Sequence, residues 1–196
     1  MRARSRFHRG LESTYKEMSA LLTFRDATLS DVGAVVALIE SAYRGEISRA
    51  GWTTEADLLD GQRTDIDEMT VIISGMKSRI RLAFQNGMLV GCVRIEQEDA
   101  AGYIGMVSVN PTMQSAGIGR QVLAEAERVI RDELRLTCAR MTVIGQRDTL
   151  IAWYERRGYS VSGKRQPFPY GQPRSGLPKR EDLYFEVLEK SFDLPH

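Results

Sequence analysis

The sequence predicts an α/β (α+β) domain, and three observations carry that prediction. Residues 103 to 109, YIGMVSV, read as a strand, and QVLAEAERVIRDEL, residues 121 to 134, places Val122, Ala126, Val129 and Ile130 at helical spacing. Asn86 and Gly87 sit between RIRLAF and MLVGCVRIEQ, and an Asn-Gly pair between alternating segments is the strongest short hairpin signal. The rest of the chain alternates between helix-like and strand-like segments rather than segregating them.

The elements follow in order. LLTFRDA, residues 21 to 27, is the first expected strand. Thr28 or Ser30 then caps a helix whose Val32, Val35, Ile39, Ala42 and Tyr43 share one face and which ends near Gly45. Residues 51 to 78 are expected to be helical in two pieces divided at Gly61. Thr54 with Asp57, and Thr64 with Asp67, each look like an N-cap followed by an acidic group three residues on. The hairpin, the 103 to 109 strand and the long helix come next. ARMTVIG, residues 139 to 145, is another strand, and a short helix from Asp148 to Arg157 closes at Gly158. DLYFEVLEK, residues 182 to 190, is the last strand. Before it, Pro167, Pro169, Pro173 and Pro178 are expected to forbid regular structure over residues 164 to 182. Phe168, Tyr170 and Arg174 suit a loop that serves a site or an interface, with capping of the core as the alternative.

Composition limits the function classes. A chain of 196 residues suits one domain with a real core, here expected over residues 21 to 196. The 27 basic and 26 acidic residues leave a net charge of +1, so neither nucleic acid nor an anionic membrane is expected as a general partner. Cys92 and Cys138 are the only cysteines, without a CxxC, which fits core residues in a reducing cytosol and no metal site. No apolar run approaches the ~20 residues of a spanning helix, so a cytoplasmic location is expected. Residues 1 to 20, with Arg2, Arg4, Arg6 and Arg9, read as a flexible basic extension within which Met18 is a candidate start. A nucleic-acid arm would rest on those arginines alone.

Gly117 and Gly119 stand between a strand and a helix, where free backbone N–H groups favour an anion. The bland alternative is a tight connection that binds nothing. A nucleotide P-loop would need Gly-Lys-Ser/Thr, but Arg120 and Gln121 follow Gly119, and Val122 stands where the dinucleotide fingerprint needs a small residue. Gln114, Ser115, Ala116, Gly117, Ile118 and Gly119 instead resemble the Q/R-x-x-G-x-G/A loop of the GNAT superfamily of acyl-CoA-dependent N-acyltransferases. LIAWYERRGYSVSG, residues 150 to 163, resembles that family's helix ending in Y-E-x-x-G-F/Y, and TFRDATLSDVGAVVALIESAYRG its first strand and helix. More narrowly, residues 51 to 65 and PFPYG are similar to a bacterial and fungal subgroup. Two positions depart from the family's pattern: Arg147 replaces a frequent cofactor-contacting Asn, and Gly105 a frequent Glu base.

The resemblance implies a mixed, V-shaped central sheet flanked by helices, whose strands at 103 to 109 and 139 to 145 run parallel and splay apart. Acetyl-CoA is the implied acyl donor, its pantetheine arm pairing with the backbone of Val107, Ser108 and Val109. The turn from Gln114 to Arg120 would hold the diphosphate, since glycine permits close backbone approach and Arg120 adds a full charge. Arg147 remains compatible with a phosphate. Tyr154 takes the place of the family's general acid; without the resemblance it reads as a core residue. Glu96 and Glu98 are candidate bases, with a water relay as the alternative. The 51 to 65 segment and the 166 to 178 loop are expected to meet over the cleft, with Trp52, Arg63, Phe168 and Tyr170 walling the acceptor side and Glu96 nearby. Acidic neighbours there would favour a cationic amine. The implied acceptor is a small-molecule or peptide amine, and a homodimer is left open. The alternative of another class is a regulatory or interaction domain that binds acyl-CoA without turnover.

Overall fold

The computed structural model describes residues 22–172 and 176–193, with the side chains of 114–116 outside that description. The basic extension, Leu21 and Arg174 also lie outside the described residues. Among the described residues, seven strands form one mixed sheet in the spatial order 23–26, 78–85, 88–98, 101–109, 138–144, 184–191 and 160–167.

β1 (Thr23–Asp26) precedes α1 (Val32–Tyr43), reached through a 3-10 turn in which the Thr28 N–H donates to Asp31 Oδ2 at 2.8 Å. A single turn, α2 (Gly45–Ser48), follows. The next segment departs from expectation. Thr54 Oγ1 accepts from the Ala56 N–H at 3.2 Å in a local turn, and Leu59–Asp60 forms a two-residue strand, β2. The only helix of that region is α3 (Ile66–Ser74), whose N-cap is Asp65, not Thr64; Asp65 Oδ1 accepts from the Glu68 N–H at 2.7 Å. The Thr64 hydroxyl goes instead to Glu68 Oε2 at 2.9 Å.

β3 (Ser78–Gln85) and β4 (Met88–Glu98) make the expected hairpin. Asn86 and Gly87 have φ of 52° and 78°, and positive φ at both central residues is what a tight hairpin turn requires of its two residues. β4 pairs antiparallel with β5 (Ala101–Val109), with a register shift between Cys92 and Arg94 opposite Met106, whose φ is 50°. That combination marks a bulge, which bends β5 away from its far neighbour. α4 (Ile118–Arg128) continues as a π-helical turn over Val129–Glu133 and returns the chain to β6 (Cys138–Ile144), parallel to β5. α5 (Asp148–Glu155) ends before Gly158, whose φ of 88° suits a closing glycine.

β7 (Ser160–Pro167) was not expected, and it overturns the reading of residues 164 to 182 as devoid of regular structure. Its only partner is β9 (Tyr184–Ser191), so it is a sheet edge, where a proline leaves no ladder bond unmade. β8 (Leu177–Pro178) pairs with β2 in a separate two-stranded clasp.

Packing explains the layers. On one face Val35, Leu38, Ile39 and Ala42 of α1, with Met69 and Ile72 of α3, bury against Ile80, Leu82 and Cys92. On the other, Val122, Leu123 and Ala126 of α4 and the following Val129 and Ile130 cover Ile95, Ile104, Ala139 and Met141. Cys92 and Cys138 are both free thiols.

Gly102 sits where β5 and β6 pair, and a Cβ there would overlap the fully buried Ile130 side chain. Gly102→Ala should therefore lower the unfolding free energy by about 1–3 kcal/mol, the usual cost of overfilling a packed core. Urea denaturation should show that penalty shrinking in an Ile130→Ala background.

Candidate functional site

β5 and β6 pair only at Gly102 with Ala139 and Tyr103 with Arg140, yet β5 runs on to Val109 and β6 to Ile144. Beyond the second pair the strands part, and backbone groups that would have bonded across face a gap instead. The gap opens into a cavity of about 280 Å³ whose walls include residues 104–107 of β5 and 141–144 of β6. At its base the Tyr103 hydroxyl bonds Thr142 Oγ1 at 2.9 Å, tying the strands together. A Cβ at Gly105 would lie 2.9 Å from Tyr103 Cε1, so the Tyr103 ring occupies the space a glutamate there would use.

Of the three strand residues expected to meet a donor, Val107 lines the cavity. Its carbonyl already accepts the Tyr43 hydroxyl at 2.8 Å, and burial pushes Tyr43 up to about 12, so it remains a donor at neutral pH. Ser108 and Val109 are buried and continue the ladder opposite Cys92 and Gly91. Tyr154 is 5% exposed, packs edge-on against Trp153 and Tyr159, and lines the cavity. Burial, then the Tyr43 hydroxyl, raises its pKa well above the ordinary phenol range.

The glycine turn follows the end of β5, and none of its residues is among those that line the cavity. Gln114, Ser115 and Ala116 belong to a 3-10 turn, and Gly117 caps α4 with a φ of 74°. Among the described residues nothing lies within 4 Å of where a Gly117 Cβ would be. Ile118 and Gly119 are buried, and Arg120 is exposed. A Cβ on Gly119 would touch Trp52 at 3.4 Å, Val109 at 3.7 Å and Trp153 at 3.8 Å, so packing as well as approach to a ligand accounts for this glycine. Trp52 and Trp153 pack with their rings tilted by 35° and their centroids 4.7 Å apart, and the Arg157 guanidinium lies 3.4 Å over Trp153. Burial, then Arg156 and Arg120, lowers the Arg157 pKa, the mark of cations held close together. Among the described residues none of these three arginines makes an ion pair. Sequence reasoning passed over Arg156 and Arg157, although two adjacent cations at a helix end were a readable signal.

The acceptor-side expectations divide. The segments meet as expected: Leu59 pairs with Pro178, Asp60 with Leu177, and Lys179 Nζ donates to the Ala56 carbonyl at 2.7 Å. Arg63 and Phe168 line the cavity. Trp52 does not, lying over the start of α4 instead. Tyr170 is 42% exposed and pins its own loop, accepting from the Leu183 N–H at 2.7 Å and donating to the Arg180 carbonyl at 3.2 Å. Glu96 pairs with Arg94 and Glu98 with Arg140, and neither reaches the cavity.

Besides Arg63 and Arg147 the wall carries Arg44, Glu55 and Glu68, which the sequence did not single out. Arg44 Nη1 donates to Glu55 Oε2 at 2.5 Å, and Arg147 reaches Glu55 Oε1 at 3.4 Å and the Trp52 carbonyl at 3.3 Å. Arg147 is thus engaged with the wall, not with the glycine turn. Arg44, Arg63 and Arg147 line the cavity against Glu55 and Glu68, three cations to two carboxylates. The expectation of an acidic acceptor wall is corrected to one with a positive surplus.

Among the described residues no group of His, Cys, Asp and Glu is arranged to hold a metal, and no helix is long and apolar enough to cross a membrane.

Replacing Glu55 with Gln would leave two largely buried arginines short of their shared carboxylate. Breaking such a buried pair typically costs ~3–5 kcal/mol. Denaturant unfolding should show a loss of that order, partly recovered in Glu55→Gln/Arg44→Met.

The family model of the acetyltransferase (GNAT) family matches residues 38–159. Among solved structures, a GNAT-family acetyltransferase from Streptococcus pneumoniae is similar over 88% of this chain and 100% of its own, with 18% identity and a TM-score of 0.61. The ribosomal-protein-S18-alanine N-acetyltransferase from Escherichia coli is similar over 90% and 97%, with 13% identity and a TM-score of 0.62. A spermidine/spermine N-acetyltransferase from Vibrio cholerae is similar over 89% and 94%, with 14% identity and a TM-score of 0.63. These identities speak to the fold alone. No curated protein matches the chain.

Proposed function

The chain belongs to the GNAT acetyltransferase family, and from that premise we propose that it is an N-acetyltransferase moving an acetyl group from acetyl-CoA to a primary amine by direct attack, with Tyr154 as general acid. The observation that carries this reading is the parting of β5 and β6 into a cavity that Tyr154 lines.

Three features fit the donor. The parted strands offer backbone for the amides of a pantetheine arm, and Val107 to Val109 are assigned that role. Gly117 leaves open space at the start of an eleven-residue helix, where backbone N–H groups favour a diphosphate. Arg120, Arg156 and Arg157 are cations without carboxylate partners on the same side. The donor supplies an acyl carbonyl open to attack and a sulfur that leaves with negative charge.

The chain's own groups do the rest. A backbone N–H near Val107 is assigned to hold the carbonyl oxygen as charge builds on it. The Tyr154 hydroxyl keeps its proton at neutral pH, gives it to the departing sulfur, and is reprotonated, through water, by the second proton that the attacking nitrogen sheds as the amide forms. An ammonium has no lone pair and must lose a proton before it attacks. Glu55 is committed to two arginines, so Glu68, the other carboxylate on the wall, is our candidate to take that proton directly or through water.

Incubating the protein with acetyl-CoA and a panel of amines, amino acids, aminoglycosides and peptides, with products read by mass spectrometry, tests the reading. Acetyl-CoA binding without any acetylated product would leave the regulatory alternative. Gly117→Val, which fills the open space at a positive φ, should weaken acetyl-CoA binding by about tenfold or more in calorimetry, a loss of roughly 1.4 kcal/mol. Tyr154→Phe keeps the ring while deleting the donor. It should leave acetyl-CoA affinity and thermal stability nearly unchanged while kcat falls by the ~10²-fold a positioned proton donor supplies. An unchanged kcat under chemistry-limited conditions would return Tyr154 to the core.

A further inference from the structure

A buried cation that lacks a partner is costly, and proteins tolerate it where a ligand completes it. The cavity wall holds a half-buried cation of this kind. Arg63 makes no ion pair among the described residues, and its guanidinium is held 5.5 Å over the Tyr43 ring. Its main chain is fixed: the N–H groups of Arg63 and Thr64 both donate to Glu40 Oε1, at 2.6 and 2.8 Å. Burial works against the Arg63 charge, but Glu55 first, and more weakly Glu68, keep its pKa above the ordinary value, so it stays a cation.

A second observation points the same way. Arg44 is 7% exposed and lines the same cavity, yet among the described residues its Nε and Nη2 have no hydrogen-bond partner. Its one carboxylate, Glu55, is shared with Arg147. The wall therefore presents guanidinium donors in excess of the oxygens around them. A guanidinium fork matches a carboxylate or similar oxyanion in two parallel bonds.

Resting on the reading of this cavity as the acceptor side of an N-acetyltransferase, we propose that the acceptor carries a carboxylate beside its amine, and that Arg63 receives this carboxylate across the cavity from Tyr154. The surplus charge disfavours a polyamine, which would bring more positive charge to a wall that already has too much. It favours an amino-acid-like acceptor, whose ammonium can sit near Glu68 while its carboxylate answers Arg63.

Product analogues test this without requiring turnover. N-acetylated amino acids and the same compounds with the carboxylate converted to a carboxamide are titrated into CoA-saturated protein by calorimetry. For at least one pair the carboxylate should bind about tenfold or more tightly than its amide. Arg63→Met should erase that difference and Arg63→Lys should restore part of it, with acetyl-CoA affinity and melting temperature held close to the parent's. Equal binding within every pair, or binding by neither member of any pair, would overturn the proposal. So would an Arg63→Met variant that keeps the preference, or one that instead loses affinity for succinyl-CoA, which would place the carboxylate on the donor. Free amino acids and their amides are then compared in turnover. A carboxylate preference in binding with no acetylation of any amine would sink the enzyme reading and, with it, the acceptor half of this proposal, leaving Arg63 as a carboxylate-binding residue.

Discussion

The site depends on the brevity of one strand pairing. β5 and β6 share two residue pairs and then separate, while the antiparallel ladders on either side run on for most of their length. Two causes act together on β5: the bulge opposite Cys92 and Arg94, and the positive φ of Met106. Backbone polar groups left open by the separation must be satisfied from elsewhere, because a buried unpaired amide or carbonyl is destabilising. Tyr43 does this for the Val107 carbonyl, and Tyr103 reaches across to Thr142 where the strands first part. The opening is thus held by side chains of α1 and of the strands themselves.

What was legible in the sequence had a local cause. The Asn86-Gly87 turn was readable because few residue pairs accept positive φ twice, and α4 because Val122, Ala126 and Val129 repeat at its period. Gly117 was readable for the same conformational reason. Gly119 was noticed for its type, but part of its cause lies in Trp52 and Trp153, distant in sequence. What was not legible depends on distant partners. The two-residue β2 has no periodicity to detect and exists because Leu177 and Pro178 come to it. Thr54 carries a capping pattern yet closes a local turn with Ala56. Pro167 reads as a strand breaker until β7 proves to be an edge. The charged wall draws on positions 44, 55, 63, 68 and 147, which no window of sequence brings together.

The glycine turn and the cavity wall are built from different materials. Toward α4 the surroundings are a helix start, an open glycine and cations that face no acid. Toward α1 they are a compact set of opposed charges sharing too few carboxylates. The first suits a ligand group of fixed, repeated chemistry. The second is shaped by particular side chains on irregular segments, where substitution changes recognition without disturbing a ladder.

The clasp of β2 and β8 has a consequence for motion. Two residue pairs, Leu59 with Pro178 and Asp60 with Leu177, join segments more than a hundred positions apart, aided by Lys179 on Ala56 and Asp60. Local opening free energies scale with the contacts a unit must give up, so so short a ladder separates long before the seven-stranded sheet does. The clasp includes Leu59, one of the residues facing the cavity. What frames this side of the cavity is therefore joined by far fewer backbone bonds than the strands behind it, and the two need not loosen together.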